Sequence, residues 1–134
     1  MSFILVDSNV LLDVFTRDPI WYERSANALS EAADITRLVI NPIIYAEVSV
    51  RFSRAELLDQ ELPSNLFERD AIPYEAAFLA GKAFAEYRRR GGARRSPLPD
   101  LFVGAHAAVA GYRLLTRDPA GYRSYFPRLQ IIAP

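Results

Sequence analysis

Four carboxylates of this chain stand where they could serve one chemical site. Asp7 directly follows an apolar run that is typical of a buried strand, and Asp118 follows a later run of the same kind. Glu47 lies in the predicted helix after the second strand, and Asp100 lies in the first turn of a further helix. Ligand sites of parallel α/β sheets form beyond the carboxyl ends of the strands, so we expect these acids to meet there.

Converging carboxylates repel one another unless a cation neutralises them. The chain has no cysteine and only one histidine, His106, which excludes thiolate and histidine-rich metal sites. Mg²⁺ and Mn²⁺ prefer oxygen ligands, and such a site can activate water and shield a phosphodiester for in-line attack. Acids after strands are also common helix caps, and Asp118, which precedes Pro119, fits that alternative by itself. Four acids in this arrangement are much less readily explained as four caps.

The composition predicts one globular domain over residues 1–134. Hydrophobic residues make up 51% of the chain and charged residues 24%, which is not a disordered composition. The net charge is zero, but residues 1–81 hold 13 acids against 6 arginines, whereas residues 82–134 hold 10 basic residues against 3 acids. This asymmetry is compatible with a polyanionic partner, or with a split that the fold mixes together.

Strands and helices alternate along the chain, which predicts an α/β fold with three α/β/α layers and a central parallel sheet of four or five strands. The strand candidates, apolar on both faces, are Phe3–Val6, Leu38–Ile40, Asp70–Ile72, Arg113–Thr116 and Leu129–Ile132. The helix candidates are Asn9–Phe15, the segment opened by Asp18-Pro19, Pro42 to about Phe52, Arg54–Glu61, Pro73 to about Arg90, and the segment from Ser96-Pro97 to Gly111.

The start of the chain and its apolar stretches bear on localisation. MSFILVDS has no basic segment before its apolar run and no cleavage signal. The longest uncharged apolar stretch, Leu101 to Tyr112, is too short to span a bilayer. We therefore expect a cytoplasmic protein without a membrane partner.

These segments together resemble the PIN-domain ribonucleases, and within them the VapC-type toxins of toxin–antitoxin pairs. The segment ILVDSNVLLDVF is similar to the opening strand of the family with Asp7, and LVINPIIYAEV is similar to the second segment with Glu47. SPLPDLFVGAHAAVAGYRLLTRDPAGYRSYF resembles the third and fourth segments with Asp100 and Asp118, and LQIIAP resembles the closing strand. Residues 54–95 carry no recognisable motif.

The resemblance implies a PIN-like fold and a Mg²⁺- or Mn²⁺-dependent endoribonuclease. The four carboxylates would hold one or two metal ions, and a water activated there would attack the phosphodiester and leave 5′-phosphate and 3′-hydroxyl ends. Asn9 and Thr116 would be polar supporters of the site. Ser8 and Asn9 stand where many members carry a threonine. The resemblance also implies a homodimer and a cognate antitoxin whose tail lies over the groove, where a basic side chain would compete with the metal.

Arginines near the acids are candidates for RNA binding. Arg88, Arg89, Arg90, Arg94 and Arg95 lead into the helix with Asp100 and either follow RNA phosphates or form a solvated helix end. The side chain of Arg117, which stands just before Asp118, either touches the scissile phosphate or points to solvent.

Several other residues have competing interpretations. Asp13 is expected at the surface rather than beside the acids, and His106, six residues after Asp100, is expected to face away from the site. Tyr122, Tyr125 and Phe126 are more readily explained by packing than by stacking on bases. Tyr45 is a candidate for a subunit interface.

Three alternative functions remain at this stage. A receiver-type signalling domain normally has a lysine after a late strand, but the only lysine, Lys82, is mid-helix. A haloacid-dehalogenase-type phosphatase has two aspartates after its first strand, but Asn9 stands at the second position. A catalytically silent RNA-binding PIN module commonly loses acids, whereas all four are present here.

Overall fold

The computed structural model describes residues 3–95 and 98–134, and a parallel sheet of five strands forms its centre. The strands are β1 (Ile4–Val6), β2 (Leu38–Ile40), β3 (Phe67–Arg69), β4 (Arg113–Leu115) and β5 (Ile131–Ile132). Their order across the sheet is β3-β2-β1-β4-β5, and every neighbouring pair is parallel. The predicted parallel sheet of four or five strands is confirmed.

Among the described residues, seven helices flank this sheet and complete the predicted three-layer α/β/α fold. They are α1 (Ser8–Phe15), α2 (Tyr22–Ile35), α3 (Pro42–Ser49), α4 (Ala55–Glu61), α5 (Tyr74–Arg89), α6 (Pro99–Ala110) and α7 (Pro119–Tyr125). Among residues 3–95 and 98–134, no helix has the length and apolar character needed to cross a bilayer.

The middle of the sheet is wholly apolar because helices cover both of its faces. All three side chains of β1 and all three of β2 are fully buried. This burial explains why both strands read as continuous apolar runs instead of alternating patterns. Asp7, the residue that follows β1, therefore lies at the end of a fully buried strand.

The strand order reverses between β1 and β4, and such a reversal creates a crevice at the carboxyl edge of a sheet. The chain leaves β1 toward β2 on one side, while β4 and β5 lie on the other. Leu5 is paired with Leu114 and Val6 with Leu115. This register brings Asp7 beside Thr116, although 109 positions separate them.

The predicted strand Asp70–Ile72 is wrong, because β3 lies earlier, at Phe67–Arg69. Only Phe67 of this edge strand is buried, and Glu68 and Arg69 are exposed. A search for strands apolar on both faces therefore misses it. Asp70 donates its backbone N–H to the carbonyl of Ile40 at 2.9 Å, after which the chain turns toward α5.

Two helix boundaries also differ from the predicted ones. Asp18-Pro19 does not open α2, which begins at Tyr22, because the Asp18 carboxylate accepts the backbone N–H groups of Ile20 and Trp21 in a turn. Helix α3 ends at Ser49 instead of about Phe52. The predicted start of α6 at Ser96-Pro97 lies outside the described residues, and the helix itself begins at Pro99.

A buried polar chain links α6 to the start of α3. The Asn41 side-chain oxygen accepts the Ile44 N–H at 2.9 Å, so its amide nitrogen faces His106 Nδ1 at 3.0 Å. His106 Nδ1 must then accept, and Nε2 carries the proton and donates to Asp70 at 3.3 Å. His106 is fully buried in this network.

We expect Asn41→Ala to lower the free energy of unfolding by about 2–3 kcal/mol, because it removes a helix cap and leaves the buried His106 nitrogen without its donor. Urea unfolding measures this loss. Asn27→Ala, at an exposed position of α2, is the matched control and should stay within about 0.5 kcal/mol of the parent. Equal stability of the two variants would contradict the role given to Asn41.

Candidate functional site

Asp7 stands at the carboxyl end of β1 and is almost fully buried. Its Oδ1 accepts the Ser8 backbone N–H at 2.8 Å, which caps α1. Its Oδ2 accepts the hydroxyls of Thr116 at 2.8 Å and Tyr122 at 2.9 Å, and the Asn9 amide lies 3.4 Å away. The carboxylate is thus held by groups from three separate segments.

Thr116 and Asn9 connect the end of β4 to this carboxylate. The Thr116 hydroxyl gives its proton to Asp7 and accepts the Asp118 backbone N–H at 3.1 Å and the Asn9 amide at 3.3 Å. The Asn9 oxygen accepts the Arg117 backbone N–H at 3.2 Å. The structure therefore places both of these polar residues beside Asp7.

Glu47 reaches the same region from α3. Its side chain is half-buried, and its Oε1 accepts the hydroxyl of the buried Ser8 at 2.9 Å. Ser8 thus contacts two acids, giving its backbone N–H to Asp7 and its hydroxyl to Glu47. The packing of α1 against α3 sets this arrangement.

Asp100 and Asp118 lie at the exposed side of the site. Asp100 is in the first turn of α6, and the nearby Tyr122 hydroxyl lowers its pKa against the effect of burial. Asp118 caps α7 and accepts the Gly121 backbone N–H at 3.2 Å. Asp7 and Asp118 therefore do cap helices, and they also lie near the other acids.

Burial and mutual repulsion both raise the pKa of three of the acids. Burial raises the pKa of Asp7, and repulsion from Asp118 adds to this while hydrogen bonds oppose it. Burial also raises the pKa of Glu47, with added repulsion from Asp7 and Asp100. The pKa of Asp100 is raised by reduced hydration and then by repulsion from Asp7 and Asp118.

No basic side chain neutralises this charge within the described ranges 3–95 and 98–134. The salt bridges found there do not include Asp7, Glu47, Asp100 or Asp118. Arg117 is the arginine adjacent in sequence, but its Nε lies 2.7 Å from Asp13 instead. The site therefore carries uncompensated negative charge.

The donor chemistry of the site fits a hard divalent cation, although the acids do not form a ready-made cage. In the part of the chain that the structure describes, no three acidic, histidine or cysteine side chains are grouped closely enough to hold a metal ion. Mg²⁺ commonly keeps several waters and uses only one or two carboxylates together with substrate phosphates. A preformed set of three ligands is therefore not required for this ion.

Asp13 departs from its expected place at the surface. It is buried, and its Oδ2 accepts the Ser25 hydroxyl at 2.7 Å and pairs with Arg117. The Arg117 guanidinium also lies over the Trp21 ring, 4.9 Å from its centre. These contacts hold the Arg117 side chain on the α1–α2 side of the site.

The predicted basic run lies at the exposed end of α5. Arg88 donates to the carbonyl of Arg94 at 2.7 Å, and both Arg89 and Arg90 pair with Glu86. Arg90 also reaches Ser124 in α7 at 2.8 Å. Arg94 and Arg95, like the other three, are exposed.

Tyr122 is a site residue that sequence reasoning missed. It was expected to serve packing, and its ring is indeed buried, but its hydroxyl binds Asp7 and lies near Asp100. Its position four residues after Asp118, on the same short helix, is the only local signal that it shares this edge. His106, by contrast, lies in the buried network with Asn41 and Asp70.

Comparisons with known proteins agree with this fold. The PIN domain profile matches residues 4–126, and the chain therefore belongs to the PIN domain family. PIN-domain nucleases typically use divalent metals. No curated protein matches the chain by sequence.

Solved structures with the same fold include chains of three complexes. One is VapBC2 from Rickettsia felis bound to a DNA fragment from their promoter, with a TM-score of 0.73, 18% identity and coverage of 98% of both chains. VapBC-1 from nontypeable Haemophilus influenzae has a TM-score of 0.71 at 18% identity, covering 98% of this chain and 97% of that one. FitAcB from Neisseria gonorrhoeae has a TM-score of 0.71 at 16% identity, covering 97% and 96%.

We expect Asp7→Asn to reduce the loss of stability that the metal-free protein suffers as the pH rises. The folded-state pKa of Asp7 is raised above the ordinary value of 3.8. Its contribution to stability is therefore complete below that value and is lost as the pH rises through the raised pKa. Asparagine cannot ionise and is an equally good helix cap.

Urea unfolding in EDTA from about pH 4 to about pH 7 measures this difference, which is bounded at about 1.4 kcal/mol per pH unit for one proton. Asp34→Asn, at an exposed position of α2, is the control and should keep the slope of the parent. A variant slope equal to that of the parent would mean that Asp7 titrates normally.

Proposed function

We propose that this protein is a Mg²⁺- or Mn²⁺-dependent endoribonuclease that hydrolyses RNA phosphodiester bonds. The observation that carries the proposal is the buried Asp7, which shares an uncompensated negative site with Glu47, Asp100 and Asp118. A buried carboxylate without a cationic partner is unfavourable, so a site of this kind favours binding of a cation.

The four carboxylates would hold the cation, with Asn9 and Thr116 fixing the orientation of Asp7. When bound, a divalent cation stabilises negative charge on the phosphoryl oxygens and lowers the pKa of water. The Thr116 hydroxyl donates its proton to Asp7, and the Ser8 hydroxyl donates its proton to Glu47. Both carboxylates are therefore acceptors in these hydrogen bonds, which fix their orientation. Attack of water on phosphorus would leave 5′-phosphate and 3′-hydroxyl ends.

The proposed biological role is that of a toxin neutralised by a cognate antitoxin. Support comes from membership of the PIN family and from the fold shared with chains of VapBC and FitAcB complexes. A basic side chain of an antitoxin would find uncompensated carboxylates here and would compete with the cation. We propose a homodimer as the assembly.

A catalytically silent RNA-binding module is the second candidate, because the acids are not preassembled into a metal cage among the described residues. Such a module would bind RNA without cutting it at any Mg²⁺ concentration. Membership of the PIN family removes the receiver and phosphatase alternatives.

Asp7→Asn and Asp100→Asn are each expected to lower RNA cleavage at least about a hundredfold, because each removes negative charge that a metal-dependent reaction needs. Cleavage of a labelled single-stranded RNA with Mg²⁺, against an EDTA control, measures this. Asp34→Asn, which removes an exposed acid on α2, should cleave at the parent rate. Parent-level cleavage by either site variant would refute the metal site, and binding without cleavage by the parent would identify the silent module.

We expect Arg94→Ala/Arg95→Ala to weaken RNA binding and to reduce the magnitude of the slope of log affinity against log salt by about 1.4, because RNA that makes two fewer phosphate contacts releases fewer counterions on binding. Filter binding of single-stranded RNA in EDTA over a range of salt measures the slope. Arg51→Ala/Arg54→Ala removes the same charge from exposed positions next to α3 and α4 and should keep the parent slope. Identical slopes for the two double variants would show that Arg94 and Arg95 do not contact RNA.

A further inference from the structure

The Tyr122 hydroxyl bonds one site carboxylate and lies near a second one. It donates to Asp7 Oδ2 at 2.9 Å, and its nearness lowers the pKa of Asp100 against the effect of burial. Glu47 is close enough that, together with Asp7 and Asp100, it opposes ionisation of the phenol. Tyr122 therefore stays protonated and acts as a neutral hydrogen-bond donor.

The packing of the Tyr122 ring against α6 explains how the hydroxyl reaches this position. Gly104 lies on α6, four residues after Asp100, and thus on the same face of the helix. A Cβ atom at position 104 would lie 3.0 Å from a carbon of the Tyr122 ring and would overlap the Phe126 ring. The absence of a side chain at Gly104 lets α7 approach α6 closely enough for Tyr122 to reach the acids.

A neutral donor suits an acidic cation site better than an arginine would. An arginine in this place would bind the carboxylates but would also cancel the charge that attracts a cation. The Tyr122 hydroxyl donates its single proton to Asp7 and leaves the charge of both acids in place. Asp7 Oδ2 already accepts the hydroxyls of Thr116 and Tyr122. Its Oδ1 accepts one N–H group from the described residues, that of Ser8, and has capacity left for a further ligand.

We propose that Tyr122 is a positioning residue of the acidic site, whose hydroxyl orients Asp7 beside Asp100 in the arrangement that receives a divalent cation. This inference rests on the proposed function, since it assumes that the site binds a metal. Residues that orient metal ligands commonly change metal affinity about 10- to 100-fold when they are removed. Tyr122 acts through the two acids and needs no contact with RNA.

The test compares Mn²⁺ binding by the parent protein, Tyr122→Phe and Tyr125→Phe, measured from the electron paramagnetic resonance signal of free Mn²⁺. Tyr122→Phe keeps the buried ring and removes only the hydroxyl. Tyr125, on the same helix, stacks its ring on Arg90, and its variant is the matched control. Urea midpoints in EDTA, measured in parallel, show whether each variant retains the fold.

We expect Tyr122→Phe to bind Mn²⁺ about tenfold more weakly and to unfold at a lower urea concentration than the parent while staying folded without urea, and Tyr125→Phe to bind as the parent does. Gly104→Ala, which keeps the hydroxyl but displaces the ring, should weaken Mn²⁺ binding in the same direction. Parent-like Mn²⁺ affinity of Tyr122→Phe would overturn this inference and leave the nuclease proposal standing. Failure of the parent itself to bind Mn²⁺ would overturn both.

Discussion

The structure depends on one unfavourable placement, a carboxylate buried at the end of the central strand without a positive partner in the described residues. Moving such a charge out of water is costly unless it is hydrogen-bonded or paired. Asp7 receives hydrogen bonds from Ser8, Thr116 and Tyr122, which stabilise it in part. Its pKa nevertheless remains raised, mainly by burial. The protein thus folds around a charge that it does not fully stabilise, and this remaining penalty is what a divalent cation would relieve.

The parallel sheet brings together acids that are far apart in sequence. Because β1 and β4 are neighbours, the residues that follow them share one edge, and α3 and α6 add Glu47 and Asp100 from helix segments near that edge. Hydrogen bonds from other segments orient two of the acids, because Asp7 accepts the Thr116 and Tyr122 hydroxyls and Glu47 accepts the Ser8 hydroxyl. The apolar strands therefore determine where the acids stand, and short polar side chains determine how they are oriented.

Local sequence patterns predicted the features that depend on local chemistry. The buried strands β1 and β2 and the acid that ends β1 could be read directly from an apolar run and the residue after it. The edge strand β3 could not, because two of its three side chains face solvent. Burial of Asp13 depends on Ser25 and Arg117, and the role of Tyr122 depends on an approach of α7 to α6. Such contacts between distant segments leave no periodic trace in the sequence.

The Asn41 amide and the buried His106 imidazole connect α6 to the helix that carries Glu47. Burial lowers the pKa of His106, which keeps the imidazole neutral and its Nδ1 free to accept from Asn41. If the ring were protonated, the Nδ1–H group of His106 would face the N–H of the Asn41 amide. The amide could then accept from His106 only by rotating, which would take its oxygen away from the Ile44 N–H. The neutral His106 imidazole therefore supports the cap that Asn41 gives to the first turn of α3, the helix that carries Glu47.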